Sequence, residues 1–217
     1  MKYLIAILFV FLLSLPSFGF GESPPSVKPK VTETAFVFEN FENNEFLTDS
    51  KWWVFGNVNV SLVSNPAIGR LALQIKGAAS NFFVGGIGGY IADFKKKSNS
   101  NNSLELDVYS ESDKNGLLKI ELYDDDNGNW QIEQEPSNNS PLFDDRFTYE
   151  LKLDFKGWKN ISIPFSLFVD DNREVGDDIW NPSFHGNSGG LLQIQFISIA
   201  SSKNGKTNFV LDDLGFN

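Results

Sequence analysis

The chain has 217 residues, a formal charge of −10 and no cysteine. That acidity counts against nucleic acid and anionic membrane surfaces as partners. The absent cysteines exclude a disulfide framework, and with a single histidine, His185, they also exclude a zinc site or a Cys–His catalytic pair.

The first 21 residues read as a secretory signal peptide. Lys2 precedes an apolar run from Leu4 to Leu15, then Pro16 and small residues follow, with cleavage expected after Gly19 or Gly21. The run is short for a bilayer span, and no later stretch is long enough, so no membrane insertion is expected after cleavage. The expected location is secreted or periplasmic. Residues 22–34 (ESPPSVKPKVTET) have linker composition. Residues 35–217 remain for one sizeable domain, which must be stabilised without disulfides, by its core or by a core and a metal.

Period-two alternation dominates that domain, and no long amphipathic helix is apparent. The clearest strands are Arg70–Gly77, Ser103–Ser110, Leu117–Asp124, Arg146–Phe155, Trp158–Phe165, Leu191–Ala200 and Thr207–Phe216. Asn115–Gly116, Asn127–Gly128 and Asn204–Gly205 supply the positive φ angles of tight hairpins, which predicts antiparallel neighbours. About ten such strands predict an all-β fold, an antiparallel β-sandwich of jelly-roll type.

Side-chain alternation then assigns faces. Leu104, Leu106 and Val108 oppose Glu105, Asp107 and Tyr109; Leu118, Ile120 and Leu122 oppose Lys119, Glu121 and Tyr123. Tyr149, Leu151 and Leu153 oppose Glu150, Lys152 and Asp154, and Gln193 and Gln195 alternate with Leu192, Ile194 and Phe196. The polar set mixes rings, amides and charges, as a sugar-binding platform does, although any half-solvated antiparallel sheet shares that mixture. The expected ligand-binding surface is Asp107, Tyr109, Glu121, Tyr123, Lys152 and Gln193, with Gln195 and Trp130 beside it. The same alternation places Asp212 of FVLDDLGFN on a face with Val210, Leu214 and Phe216. A carboxylate there requires a partner or a metal.

Several stretches are similar to a known family. GWKNISIPFSLF (Gly157 to Phe168) resembles an element of galactose-binding-like jelly rolls, represented by family 11 carbohydrate-binding modules and the complex I intermediate-associated protein 30 domain. NFENN (Asn40 to Asn44), Trp52–Trp53, GRLALQIKG, GGIGG (Gly85 to Gly89), LLQIQFI and FVLDDLGF extend the resemblance over most of the chain from Phe38. The resemblance implies a non-catalytic module whose partner is a polysaccharide or other glycan. It also implies a structural Ca2+ joining the first strand to the last, with Glu42 and either Asp212 or Asp213 as ligands. Its assembly-factor branch implies the alternative, a cell-envelope protein partner.

Catalytic patterns fail on spacing. Glu105 and Glu111 are six residues apart in ELDVYSE, about 20 Å along a strand. Paired glycosidase carboxyls lie within about 10 Å. YDDDNGNW resembles the start of an EF-hand, but with Gly128 as the loop glycine, positions one and twelve fall on Tyr123 and Gln134, so an acidic hairpin is expected. GGIGG lacks a strand-to-helix context and reads as a bulge or a close-packed strand. His185 sits in a loop sequence with no nucleophile elbow, and the Asn-x-Ser sequons matter only in a eukaryotic secretory pathway.

Overall fold

The computed structural model describes residues 36–46, 48, 51–91, 103–183 and 189–217. The leader, the linker and His185 lie outside them. Twelve strands alternate through these residues: β1 (Phe36–Glu39), β2 (Trp52–Gly56), β3 (Val58–Val63), β4 (Ala72–Ala78), β5 (Phe83–Tyr90), β6 (Ser103–Ser110), β7 (Leu117–Asp125), β8 (Asp145–Lys152), β9 (Gly157–Pro164), β10 (Val169–Asp170), β11 (Gly190–Ile199) and β12 (Lys206–Phe216). No helix among the described residues is long and apolar enough to cross a membrane.

Two antiparallel sheets form the sandwich. One has the order β3-β4-β12-β6-β9, with β1 also paired to β12; the other has the order β10-β8-β7-β11-β5-β2. Both turn apolar faces inward. Leu104, Leu106 and Val108 of β6 and Phe209 and Leu211 of β12 meet Leu118, Ile120 and Leu122 of β7 and Ile194 and Phe196 of β11. All ten side chains are fully buried, as the alternation of their strands requires once one face is excluded from water.

The Asn-Gly pairs do not all close hairpins. β6 and β7 belong to different sheets, as do β11 and β12, so Asn115–Gly116 and Asn204–Gly205 sit in arches that cross between sheets. The reason is local at Asn115. Its buried amide donates to Ser110 Oγ (2.6 Å) and to the Asn208 carbonyl (2.8 Å), which ties it to the sheet it is leaving. Gly116, at φ +86°, then redirects the chain. Asn127–Gly128 does lie between paired strands, β7 and β8, but within the long connection 126–144.

The parity expected for Asp212 also changes. Val210 pairs with Tyr109 and Asp212 with Asp107, both on the outer face. The ladder then slips between Asp212 and Gly215, and Asp213 adopts φ +46°. This bulge inserts an extra residue and inverts the alternation, so Leu214 and Phe216 turn into the core that Asp212 does not face.

Candidate functional site

A cleft of about 360 Å³ opens on the outer face of the sheet containing β2, β5, β11, β7 and β8. Trp53 and Phe55 alternate outward from β2 opposite Gly88 and Gly86 of β5. A Cβ on Gly88 would lie 2.3 Å from two carbons of the Trp53 indole, so the ring lies across bare backbone. A Cβ on Gly86 would strike the Phe196 carbonyl at 2.1 Å. GGIGG is therefore a close-packed strand whose missing side chains make room for rings from its neighbour. Tyr90 continues the aromatic surface, its centroid 5.3 Å from that of Trp53, and Phe83 lines the cleft further along. Tyr90 is 46% exposed and Phe83 is 42% exposed, both unusual for large rings on a sheet.

Polar groups form the remaining lining. Gln195 and Glu121 face each other across β11 and β7, and Arg146 lies opposite Tyr123 on β8. Gln134, Asn138 and Asn139 reach in from the β7–β8 connection. That segment is a turn in which the Glu135 carbonyl accepts the N–H groups of Asn138 and Asn139 and the Glu135 N–H donates to Ser140.

A connected network underlies the cleft. Tyr123 Oη donates to Glu121 Oε2 at 2.6 Å, and Lys119 bridges Glu121 (2.8 Å) and Asp171 (3.1 Å). Arg146 Nε meets the other Asp171 oxygen at 2.6 Å. Burial pushes the Tyr123 phenol well above its ordinary range, and the Glu121 charge adds to the effect. Burial alone would lower the Lys119 pKa, but hydrogen bonding and attraction to Glu121 and Asp171 outweigh it and hold the ammonium above its usual value. Glu121 is itself buried, so removing its phenolic donor matters. Tyr123→Phe is expected to cost about 1.5–3 kcal/mol of stability, the range for a hydrogen bond to a charged group, measured as a lowered urea midpoint.

The structure gathers only part of the expected surface. Glu121, Tyr123, Gln193 and Gln195 share the cleft sheet's outer face, but Tyr123 is 1% exposed and cannot offer a stacking face. Lys152 is on the same face at its far end, beside Asp113, Asp154 and Ser201, and does not line the cleft. Trp130 is 44% exposed on the β7–β8 connection, outside the lining. Asp107 and Tyr109 lie on the other sheet, because β6 pairs with β12 and β9 and not with β7. There Asp107 is buried and accepts from Asn160 (3.2 Å). Its pKa rises to about 6 through burial, reinforced by the Asp213 and Glu105 charges. Tyr109 packs against Trp158 at 5.5 Å.

Sequence reasoning missed Trp53, Phe55, Phe83, Tyr90 and Arg146. The available signal was the alternation of WWVF with GGIGG, since glycines facing aromatic residues across a strand pair leave bare backbone for the rings to cover.

The three expected metal ligands are near enough for their charges to act on one another, but they are not a group whose carboxylate oxygens all lie within 4.8 Å of one another. Glu42 Oε1 accepts the Arg70 N–H (2.7 Å), while Asp212 Oδ2 accepts the Ile68 N–H (2.9 Å) and its Oδ1 accepts the Asp213 N–H (3.0 Å). The loop 67–71 thus bridges Glu42 to the end of β12. Burial lifts Asp212 to about 7, with the Asp213 and Glu42 charges raising it further; Asp213 is raised by burial and by Glu42. Arg70 Nε is 3.8 Å from Glu42 and largely solvated. The three are hard carboxylate donors of the kind calcium takes, one of them fully buried, and both oxygens of that one, Asp212, accept backbone N–H groups.

The two sheets and their order define a carbohydrate-binding-module-like jelly roll. The structure is similar to a family 11 carbohydrate-binding module of the cellulosomal cellulase Lic26A-Cel5E of Clostridium thermocellum. The identity is 16% and the TM-score 0.53, over 83% of this chain and 92% of that one. It is likewise similar to the Clostridium thermocellum family 11 module in complex with a beta-1,3-1,4-mixed-linked tetrasaccharide, at 16% identity and TM-score 0.54, over 83% and 94%. No family model and no curated protein matches the chain.

Proposed function

We propose that this is a secreted or periplasmic, non-catalytic module that binds a polysaccharide in the cleft of the β2–β5–β11–β7–β8 face. The observation that carries this reading is the Trp53 indole lying across Gly88 with Tyr90 beside it, flanked by Gln195, Glu121 and Arg146. Flat rings pack against the C–H faces of pyranose units, and fixed amides, a carboxylate and a guanidinium hydrogen-bond hydroxyls. A neighbour of the same fold holds a mixed-linked tetrasaccharide, and that supports testing β-glucans first. Glu42 with Asp212 and Asp213 would hold a structural calcium, whose chemistry is charge neutralisation and cross-linking of the 40–46 turn to β12.

The test is an array of soluble polysaccharides, including mixed-linked β-glucan and xylan, probed in calcium-containing buffer. Retention of the chain on one polymer class is expected. A blank array from folded protein would overturn the reading and direct the search to a protein partner in the cell envelope.

A further inference from the structure

A second group of carboxylates lies where β7 ends and β8 begins. One carboxylate oxygen from each of Asp126, Asp145 and Asp177 lies within 4.8 Å of the others. Oxygens sharing one calcium, each bound at 2.3–2.6 Å, are separated by no more than about 5 Å. Among the described residues no lysine or arginine pairs with any of the three.

Mutual proximity of acids alone would be ordinary. The neighbouring Asp124 is different. Its side chain is fully buried, Oδ2 accepts the Asn181 N–H at 2.9 Å, and Oδ1 accepts nothing. The acids that raise Asp124 are Asp126, Asp145 and Asp177, so this buried undonated oxygen lies beside the group, though Asp124 is not one of the three whose oxygens fall within 4.8 Å of one another. Asp126 Oδ1 is a second buried oxygen without a donor. Buried carboxylate oxygens are costly unless something cationic or a hydrogen-bond donor faces them.

We propose that Asp126, Asp145 and Asp177, with the buried Asp124 beside them, bind a calcium ion that clamps segment 171–181 to the β7–β8 edge of the cleft sheet. This site shares no residue with the Glu42–Asp212 group. An all-carboxylate donor set selects a hard cation. Of the two common ones, calcium tolerates irregular anionic cages drawn from three chain segments, whereas magnesium demands an octahedron and keeps its waters. The burial that lifts Asp124 to about 8 and Asp126 to about 7, with the neighbouring acids adding to it, is the cost that such an ion would offset.

The clamp also has a consequence for the cleft. Segment 171–181 supplies Asp171, which holds the Arg146 guanidinium, and Asn172, which accepts the Arg146 N–H at 2.7 Å. Arg146 and Tyr123, both cleft residues, each lie next in sequence to one of these aspartates. The ion would therefore seat the segment that aims Arg146.

The test is a calorimetric titration of CaCl2 into chelator-stripped protein, comparing wild type with Asp126→Asn, Asp177→Asn and Glu42→Gln. Asp177 is exposed, so its variant keeps the fold. At least a tenfold loss of one calcium affinity is expected in both Asp variants, with that affinity retained in Glu42→Gln. Melting adds a reversal of sign. In chelator, Asp126→Asn should melt at or above wild type because a repelling charge is gone; in calcium it should melt below. Wild-type protein that takes up no calcium, or Asp variants that titrate like wild type, would overturn the proposal. So would an Asp126→Asn variant that melts below wild type under both conditions, or a magnesium response equal to that of calcium. None of these readouts depends on polysaccharide, so a failure of glycan binding leaves the test intact.

Discussion

Trp53→Ala is expected to weaken polysaccharide binding by about 1–3 kcal/mol, the range found when one aromatic stacking platform is removed. In affinity this is roughly fivefold to 150-fold, read as a shift in retardation by a polysaccharide-loaded native gel. The effect should be confined to binding. Trp52, and not Trp53, packs against the core, while Trp53 lies on the outer face over Gly88. Tyr109→Ala, on the opposite sheet, is the control and should bind normally. The reverse pattern, loss with Tyr109→Ala and none with Trp53→Ala, would move the site to the β6 face and sink the cleft assignment.

Phe196→Ala should give the largest loss of stability, about 3–5 kcal/mol, as expected for truncating a fully buried phenylalanine. Phe196 projects inward from β11, between β7 and β5, and is completely excluded from solvent. Truncation would leave a void between the sheets that the flanking strands, hydrogen-bonded on both sides, cannot collapse to fill. A urea titration reads the effect directly. A change below about 1 kcal/mol would mean that the two sheets do not pack through this residue. Trp53→Ala, by contrast, should leave the midpoint nearly unchanged, which separates a binding residue from a core residue within the same sheet.

The fold was legible because its strands alternate cleanly. The run SLELDVYS is β6 itself, and the inward sets Leu104–Leu106–Val108 and Leu118–Ile120–Leu122 are the buried ones. What alternation cannot reveal is which sheet a strand joins. Glu105-x-Asp107-x-Tyr109 and Lys119-x-Glu121-x-Tyr123 carry the same outward pattern, yet they lie on opposite surfaces of the sandwich, because Asn115–Gly116 crosses between sheets. A site built from both sets was bound to divide. The cleft was obscured for a related reason. Its defining strand, β5, has glycine at four of eight positions and so carries little hydrophobic pattern. The meaning of Gly86 and Gly88 appears only when Phe55 and Trp53 are placed opposite them. The bulge at Asp213 likewise lies beyond a period-two rule, since a single residue with positive φ reverses every assignment that follows it.

The position of β12 bears on how the chain reaches this state. Residues 206–216 are the axis of their sheet: β4 and β6 bond to its two edges, and β1 takes over beyond Leu211. Phe36 pairs with Phe216, so the segments joined there are separated by nearly the whole domain. Until 206–216 is in place, β4 and β6 have no shared neighbour, and their apolar faces have no completed layer behind them. Closing such long loops costs entropy before any contact repays it, which places the domain among slow-folding topologies. The other sheet, apart from β2, β5 and β11, grows from the β7–β8 pair and the short β10, whose partners are closer in sequence. Refolding experiments should therefore see the half containing β7 and β8 acquire exchange protection first, with the β4–β12–β6 ladder arriving in the final, rate-limiting step.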